Sequence, residues 1–206
     1  FPTSLGQKIS VKEKVAFCGY EQLVNQATVL AVFDAEGEPV EQLSDDSPAG
    51  VIVLDQTAFY AESGGQVGDR GMLHNASAGF DVTDTQISGD QYLHIGRMLN
   101  GTIQAGDTLH AKVDNTTRDQ TRANHSATHL LHAALREVLG EHVQQKGSLV
   151  NADKLRFDFA HTGAISAEEL KQTEQRVNGQ IRSNSNVDTQ LLSYDDAVQQ
   201  GAVALF

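Results

Sequence analysis

The stretch TLHAKVDNTTRDQTRANHSATHLLHAALREVL, residues 108–139, changes its hydrophobic period part-way along, and that change decides the fold. From Thr108 to Val113 apolar and polar residues alternate, with Leu109, Ala111 and Val113 set against Thr108, His110 and Lys112. That is the pattern of a half-buried strand. From Thr117 to Leu139 the period becomes helical: Ala127, Leu130, Leu131, Ala134, Leu135, Val138 and Leu139 share one broad apolar face. Thr116, three residues before Asp119, is expected to cap this helix, and Gly140 to end it. A β-rich region therefore ends near Asp114, and a region of mixed helix and strand follows.

Upstream of this switch the sequence reads as short strands separated by Gly, Asp and Ser. Val29–Phe33 is one, ended by Asp34-Ala35-Glu36-Gly37; Phe80–Thr83 and Tyr92–Ile95 are others. Val51–Leu54 is apolar at every position, which predicts burial on both faces. A Gly-rich stretch runs from Ala61 to Gly71. Strands of this kind predict a small barrel or sandwich. Downstream, Leu155–Phe159 alternates and reads as a strand. Ser166 and Glu169 form a capping box, with Ile165 and Leu170 as its hydrophobic staple, and Leu170, Val177 and Ile181 continue an apolar stripe. Ser193 and Asp196 repeat the capping pattern for a short last helix, which Gly201 closes. The expected fold class is α+β, with residues 1–114 β-rich and residues 115–206 α+β.

Composition narrows the functional classes. Of 206 residues 39% are hydrophobic and 20% charged, values of a globular rather than a disordered chain. No apolar run approaches the ~18 residues that span a bilayer, so no membrane partner is expected. The net charge of -12 argues against an autonomous nucleic-acid binder, yet it permits a module that works on one end of an RNA held elsewhere. Cys18 is the single cysteine, which points to a reducing cytoplasm; flanked by Phe17 and Gly19-Tyr20, it reads as a partly buried, inert thiol. Phe1-Pro2-Thr3-Ser4 carries neither an initiator Met nor a signal pattern, and the apolar ending Ala202–Phe206 looks unfinished. Both features suggest a piece of a longer chain.

Chemistry concentrates in Asn124-His125-Ser126-Ala127-Thr128-His129. Histidines four apart lie on one helical face, so His125 and His129 can reach one metal ion; they can equally be polar residues at the edge of a packed face. A zinc protease helix carries Glu after its first His as general base, and here that position is Ser126, which argues against peptide hydrolysis. His132, His142 and His161 are available as further ligands, none with a compelling spacing. The glycines of Thr57–Gly71 fit either a tight turn or a surface presenting backbone amides with Ser63 or Gln66 to a ligand. This stretch is neither a P-loop nor a dinucleotide fingerprint. Val143–Val150, with Gln145, Lys146 and Gly147, returns the chain past the helix or simply turns it into a strand.

Five segments in this order resemble the alanyl-tRNA synthetase family: Phe17–Glu21, Phe59–Gln66, Asn124–His132, Gln145–Ser148 and Leu155–Phe159. The resemblance implies a Gly-rich β-barrel followed by the two-layer α+β editing core shared by alanyl- and threonyl-tRNA synthetases. It implies hydrolysis of Ser-tRNA and Gly-tRNA made in error on alanine tRNA, that is, an aminoacyl-tRNA deacylase within an alanine–tRNA ligase. The non-enzymatic alternative is a tRNA-docking or interaction module of the same synthetase. The resemblance also implies zinc, with His125 and His129 as the first two ligands and the family's Cys-x-x-x-His motif, expected beyond Phe206, supplying the others. Gln145, Ser63 and Gln66 are the implied substrate-side residues. The implied partners are the aminoacylated 3′ end of alanine tRNA and the rest of the synthetase chain. ATP belongs to the family's upstream aminoacylation region, and none of its motifs occurs here.

Overall fold

A computed structural model describes residues 9, 11, 14–46, 49–186 and 192–200. Its strands are β1 (Ala16–Phe17), β2 (Val24–Asp34), β3 (Gln42–Ser44), β4 (Gly50–Leu54), β5 (Gln56–Thr57) and β6 (Gly71–His74). They continue with β7 (Gly79–Ser88), β8 (Gln91–Asn100), β9 (Thr102–Gln104), β10 (Thr108–Val113), β11 (Gln145–Val150) and β12 (Leu155–Phe159). The helices are α1 (Asn115–Leu139), α2 (Ala167–Ser183) and α3 (Tyr194–Gln199). The chain forms two compact units, one of Phe1–Arg122 with Asn151–Asp153, the other of Ala123–Val150 with Lys154–Phe206. No helix among the described residues is long and apolar enough to cross a membrane.

In the first unit six strands close an antiparallel barrel in the order β10-β2-β4-β8-β7-β6, with β6 pairing β10. Closure pairs both sides of every strand, so the ring presents no open ladder. The alternation of β10 sends Leu109, Ala111 and Val113 into the barrel and leaves Thr108, His110 and Lys112 exposed. Every residue of β4 is buried, as its unbroken apolar run predicts. Ile52 and Leu54 join the main core with Phe59 and Phe80, while Val51 and Val53 pack with Ile9, Val15, Phe33 and Leu93. β7 and β8 are ten residues each, longer than their apolar segments suggest, and turn at Gly89 with φ 58°. Their outward positions carry Asp81, Thr83 and Arg97, which hides the full strands from a search for apolar runs.

Two buried polar arrangements tie this unit together. In the first, the Phe59 N–H donates to Thr57 Oγ1 at 3.0 Å, and the Thr57 hydroxyl donates to His94 Nε2 at 2.7 Å. His94 Nδ1 then donates to the Ile52 carbonyl at 2.9 Å. A carbonyl only accepts, so Nδ1 carries a proton, and the low pKa leaves the ring neutral at pH 7. Complete burial pushes its pKa down to about 4, against the opposing pull of the Ile52 bond. In the second, Arg118 Nε donates to both Asp69 oxygens at 2.9 and 3.0 Å, Nη1 to the Gly19 carbonyl at 2.9 Å, and Nη2 to the Ala58 carbonyl at 2.8 Å and to Asp69 Oδ2. Asp69 Oδ2 also accepts the Tyr60 N–H at 2.7 Å. The first turn of α1 is thereby clamped to the Gly-rich stretch.

The cap of α1 differs from expectation. Asp114, not Thr116, accepts the Thr117 N–H at 3.0 Å, and the helix starts at Asn115. An N-cap must be the last non-helical residue, and Thr116 already lies inside the helix. Gly140, at φ 117°, ends it as expected.

In the second unit β11 and β12 form an antiparallel hairpin with an irregularity between Gln145 and Gly147. The capping box of α2 is present: the Glu169 N–H donates to Ser166 Oγ at 3.2 Å, and the Ser166 N–H to Glu169 Oε2 at 2.8 Å. Its apolar stripe is largely open: Leu170 and Ile181 are each 53% exposed, and Val177 is half-buried. Periodicity reports which face of a helix is apolar, not whether the fold covers it. Ser193 caps α3 as predicted, while Gly201 lies outside the described residues.

Candidate functional site

The centre of the candidate site is the middle of α1. His125 and His129 stand one turn apart, with ring centroids separated by 5.0 Å and planes within 28°. The helix sets this arrangement, because residues i and i+4 project side by side. His125 is half-buried and His129 exposed. Burial first, and the neighbouring His129 second, hold His125 below the ordinary imidazole range. It is therefore neutral at pH 7, the form in which imidazole offers a lone pair to a metal or a proton.

The next helical turn connects this face to the hairpin. His132 Nε2 donates to the Val143 carbonyl over a long 3.4 Å, and its ring lies 5.2 Å from that of Phe157. Gln145 follows Val143 by two residues, is half-buried, and donates from Nε2 to Ser148 Oγ at 3.3 Å. The amide thus stands at the start of β11, two residues beyond the carbonyl that His132 bonds. Among the described residues, no group of three or more His, Cys, Asp or Glu side chains converges to hold a metal ion. The donor type of His125 and His129 fits a borderline cation such as zinc, but two ligands are fewer than the three or four it takes from protein.

Ser63 and Gln66 belong to the barrel unit. Ser63 is exposed and Gln66 is 6% exposed. Between them Gly64 at φ 59° and Gly65 at φ 84° make a two-residue turn, closed by Ser63 N–H to Gln66 carbonyl at 3.2 Å and the reverse bond at 3.0 Å. Positive φ at both central positions accounts for the two glycines by conformation alone. Cys18 is half-buried against the barrel core and free, as its aromatic setting suggests.

Spacing gives no warning of one further pair. His142 Nε2 and His161 Nδ1 lie 2.9 Å apart, their planes within 22°, although 19 positions separate them in sequence. The hairpin brings them together, and only its register, with Gln145 opposite Phe159, could have signalled that.

The chain belongs to the tRNA synthetases class II (A), whose family model matches residues 3–117. Within that class it is similar along its whole length to alanine–tRNA ligases. It is 48% identical over 206 residues to the alanine–tRNA ligase of Idiomarina loihiensis and 50% identical over 206 residues to that of Saccharophagus degradans, with all of this chain covered. It is 53% identical over 191 residues, 92% of this chain, to that of Nitrosomonas europaea. The chain spans 24%, 23% and 22% of the length of these three relatives.

Proposed function

We propose that this chain is the editing part of an alanine–tRNA ligase, with the α+β editing core in residues 115–206. It hydrolyses the ester that joins serine or glycine, attached in error, to alanine tRNA. Water adds at the ester carbonyl, and the free amino acid and the terminal ribose hydroxyl leave. The observation that carries this reading is the pair of adjacent imidazoles, His125 and His129, on the accessible face of α1. The similarity to alanine–tRNA ligases supports alanine tRNA as the partner. Activation of alanine with ATP falls to other parts of the parent enzyme, and free Cys18 suits a reducing cytoplasm.

A second site is needed because a pocket for alanine rejects glycine by only ~10- to 200-fold, and serine imperfectly. The amide of Gln145 offers both donor and acceptor to a serine hydroxyl. Alanine would leave such a partner unpaired, at a cost of about 1–3 kcal/mol. Ser63 and Gln66 are proposed as substrate contacts on the family resemblance alone. His125 and His129 would hold zinc together with the family's Cys-x-x-x-His ligands, and zinc would supply a Lewis acid. The absence of a third ligand among the described residues favours, as the second reading, a tRNA-docking module.

The test uses Ser-tRNA and two proteins: this chain, and the same chain extended through the Cys-x-x-x-His motif. The extended protein should deacylate much faster. His125→Ala with His129→Ala should slow it by more than about 100-fold, beyond the loss of an outer-shell partner, without weakening tRNA binding. Deacylation that survives the double substitution refutes the site, and binding without deacylation in either protein establishes the docking reading.

A further inference from the structure

The proposed site makes no use of the second histidine pair of its unit. His142 Nε2 and His161 Nδ1 lie 2.9 Å apart at the open end of the β11–β12 hairpin, just beyond the pairing of Gln145 with Phe159. The backbone on either side holds them there. Val143, fully buried, bonds its N–H to the Gly140 carbonyl at 3.2 Å, and the Ala160 N–H bonds the Gln144 carbonyl at 3.2 Å. Each histidine is therefore next in sequence to an anchored residue. Gly140 makes room for the ring of His142, since a Cβ at that position would lie 3.0 Å from Nδ1. With Nδ1 against Gly140, Nε2 is the nitrogen turned toward His161. His142 is exposed and His161 half-buried, so water competes for both rings and a hydrogen bond between them adds little stability.

We infer that His142 and His161 form a second metal site, separate from His125 and His129, for a divalent transition ion of the nickel–copper type. Two nitrogens 2.9 Å apart, each about 2.0–2.1 Å from a metal, subtend an angle of about 90° at it. That is the cis angle of tetragonal and octahedral coordination, narrower than the tetrahedral angle zinc prefers. Imidazole suits such ions, whereas magnesium and calcium take oxygen ligands. In the hydrogen bond one ring is the donor. Moving its proton to its other nitrogen turns both lone pairs toward the ion, and water completes the coordination from the exposed side. Negative charge is close at hand. The side-chain and backbone bonds of Ser166 first, and the charge of His161 last, hold the Glu169 carboxyl below its usual range, so this carboxylate is within electrostatic reach of the pair. Its Oε2 serves the capping box, so Glu169 offsets charge without coordinating, in keeping with the lack of a three-residue donor group among the described residues.

Nickel(II) binding to the chelator-washed chain tests this with neither tRNA nor hydrolysis, so its outcome is independent of the proposed function. The parent protein for the test carries His125→Ala and His129→Ala, which removes the helical pair. Calorimetric titration should find a nickel site in it whose affinity falls by more than about 10-fold in His142→Gln and equally in His161→Gln, since losing a ligand costs at least as much as losing an outer-shell partner. Replacing both should weaken binding no further than either alone, because a chelate needs the two rings together. Excess magnesium should not compete. Saturating nickel should also raise the Tm of the parent protein and leave that of His142→Gln where it was. His142 is exposed, so His142→Gln carries the test even if His161→Gln is unstable. No nickel binding by the parent protein, an unchanged affinity in His142→Gln, or a loss on replacing both that equals the two single losses combined overturns the inference.

Discussion

Replacing Arg118 with Met keeps an apolar stem but removes a guanidinium from a site in which every neighbour is fixed. The pair it forms with Asp69 is only 7% and 5% exposed, so solvent does little to screen it. Without Arg118, Asp69 keeps the Tyr60 N–H at 2.7 Å, and the Gly19 and Ala58 carbonyls lose their side-chain donors. Breaking a buried pair from one side costs about 3–5 kcal/mol, and the two carbonyls push the expected loss toward the upper end. Asp69→Leu should be comparably damaging, because it strands the cation. The double variant carries no buried charge and should cost less than the sum of the singles by at least about 2 kcal/mol. Urea unfolding followed by circular dichroism measures all three. A loss below about 1 kcal/mol for Arg118→Met, or strict additivity, would refute the clamp between α1 and the Gly-rich stretch.

Two smaller perturbations probe the same barrel. His94 is neutral when buried and titrates near 4, whereas in the unfolded chain it titrates near 6.5. Above pH 6.5 it therefore adds no pH dependence; as pH falls from about 6.5 to 4 the unfolded chain takes up a proton that the native protein excludes, and stability drops by roughly 3 kcal/mol. His94→Gln should remove that part of the acid slope, and an identical slope in the variant would contradict the assignment. Among the glycines, a Cβ on Gly64 meets nothing within 4 Å, so Gly64→Ala should cost only the ~1 kcal/mol of its positive φ. A Cβ on Gly68 would lie 2.1 Å from the Thr85 carbonyl oxygen, so Gly68→Ala should lower the Tm several times further. Equal Tm losses would mean that close approach does not govern this loop.

Local pattern carried much of the fold. The alternation of Thr108–Val113, the unbroken run Val51–Leu54 and the capping box of Ser166 and Glu169 each correspond to an element of the expected kind, because each is set by a residue's immediate neighbours along the chain. The same holds for His125 and His129, which one helical turn places side by side. Tertiary structure decided the rest. Arg118 meets Asp69 across 49 positions, and His142 meets His161 across 19, distances over which periodicity has no reach. Barrel closure, the neutral state of His94 and the pairing of Asp81 with Arg97 likewise depend on which strands become neighbours. The exposed stripe of α2 shows the limit from the other side: Leu170 and Ile181 mark an apolar face, but only packing determines whether anything covers it.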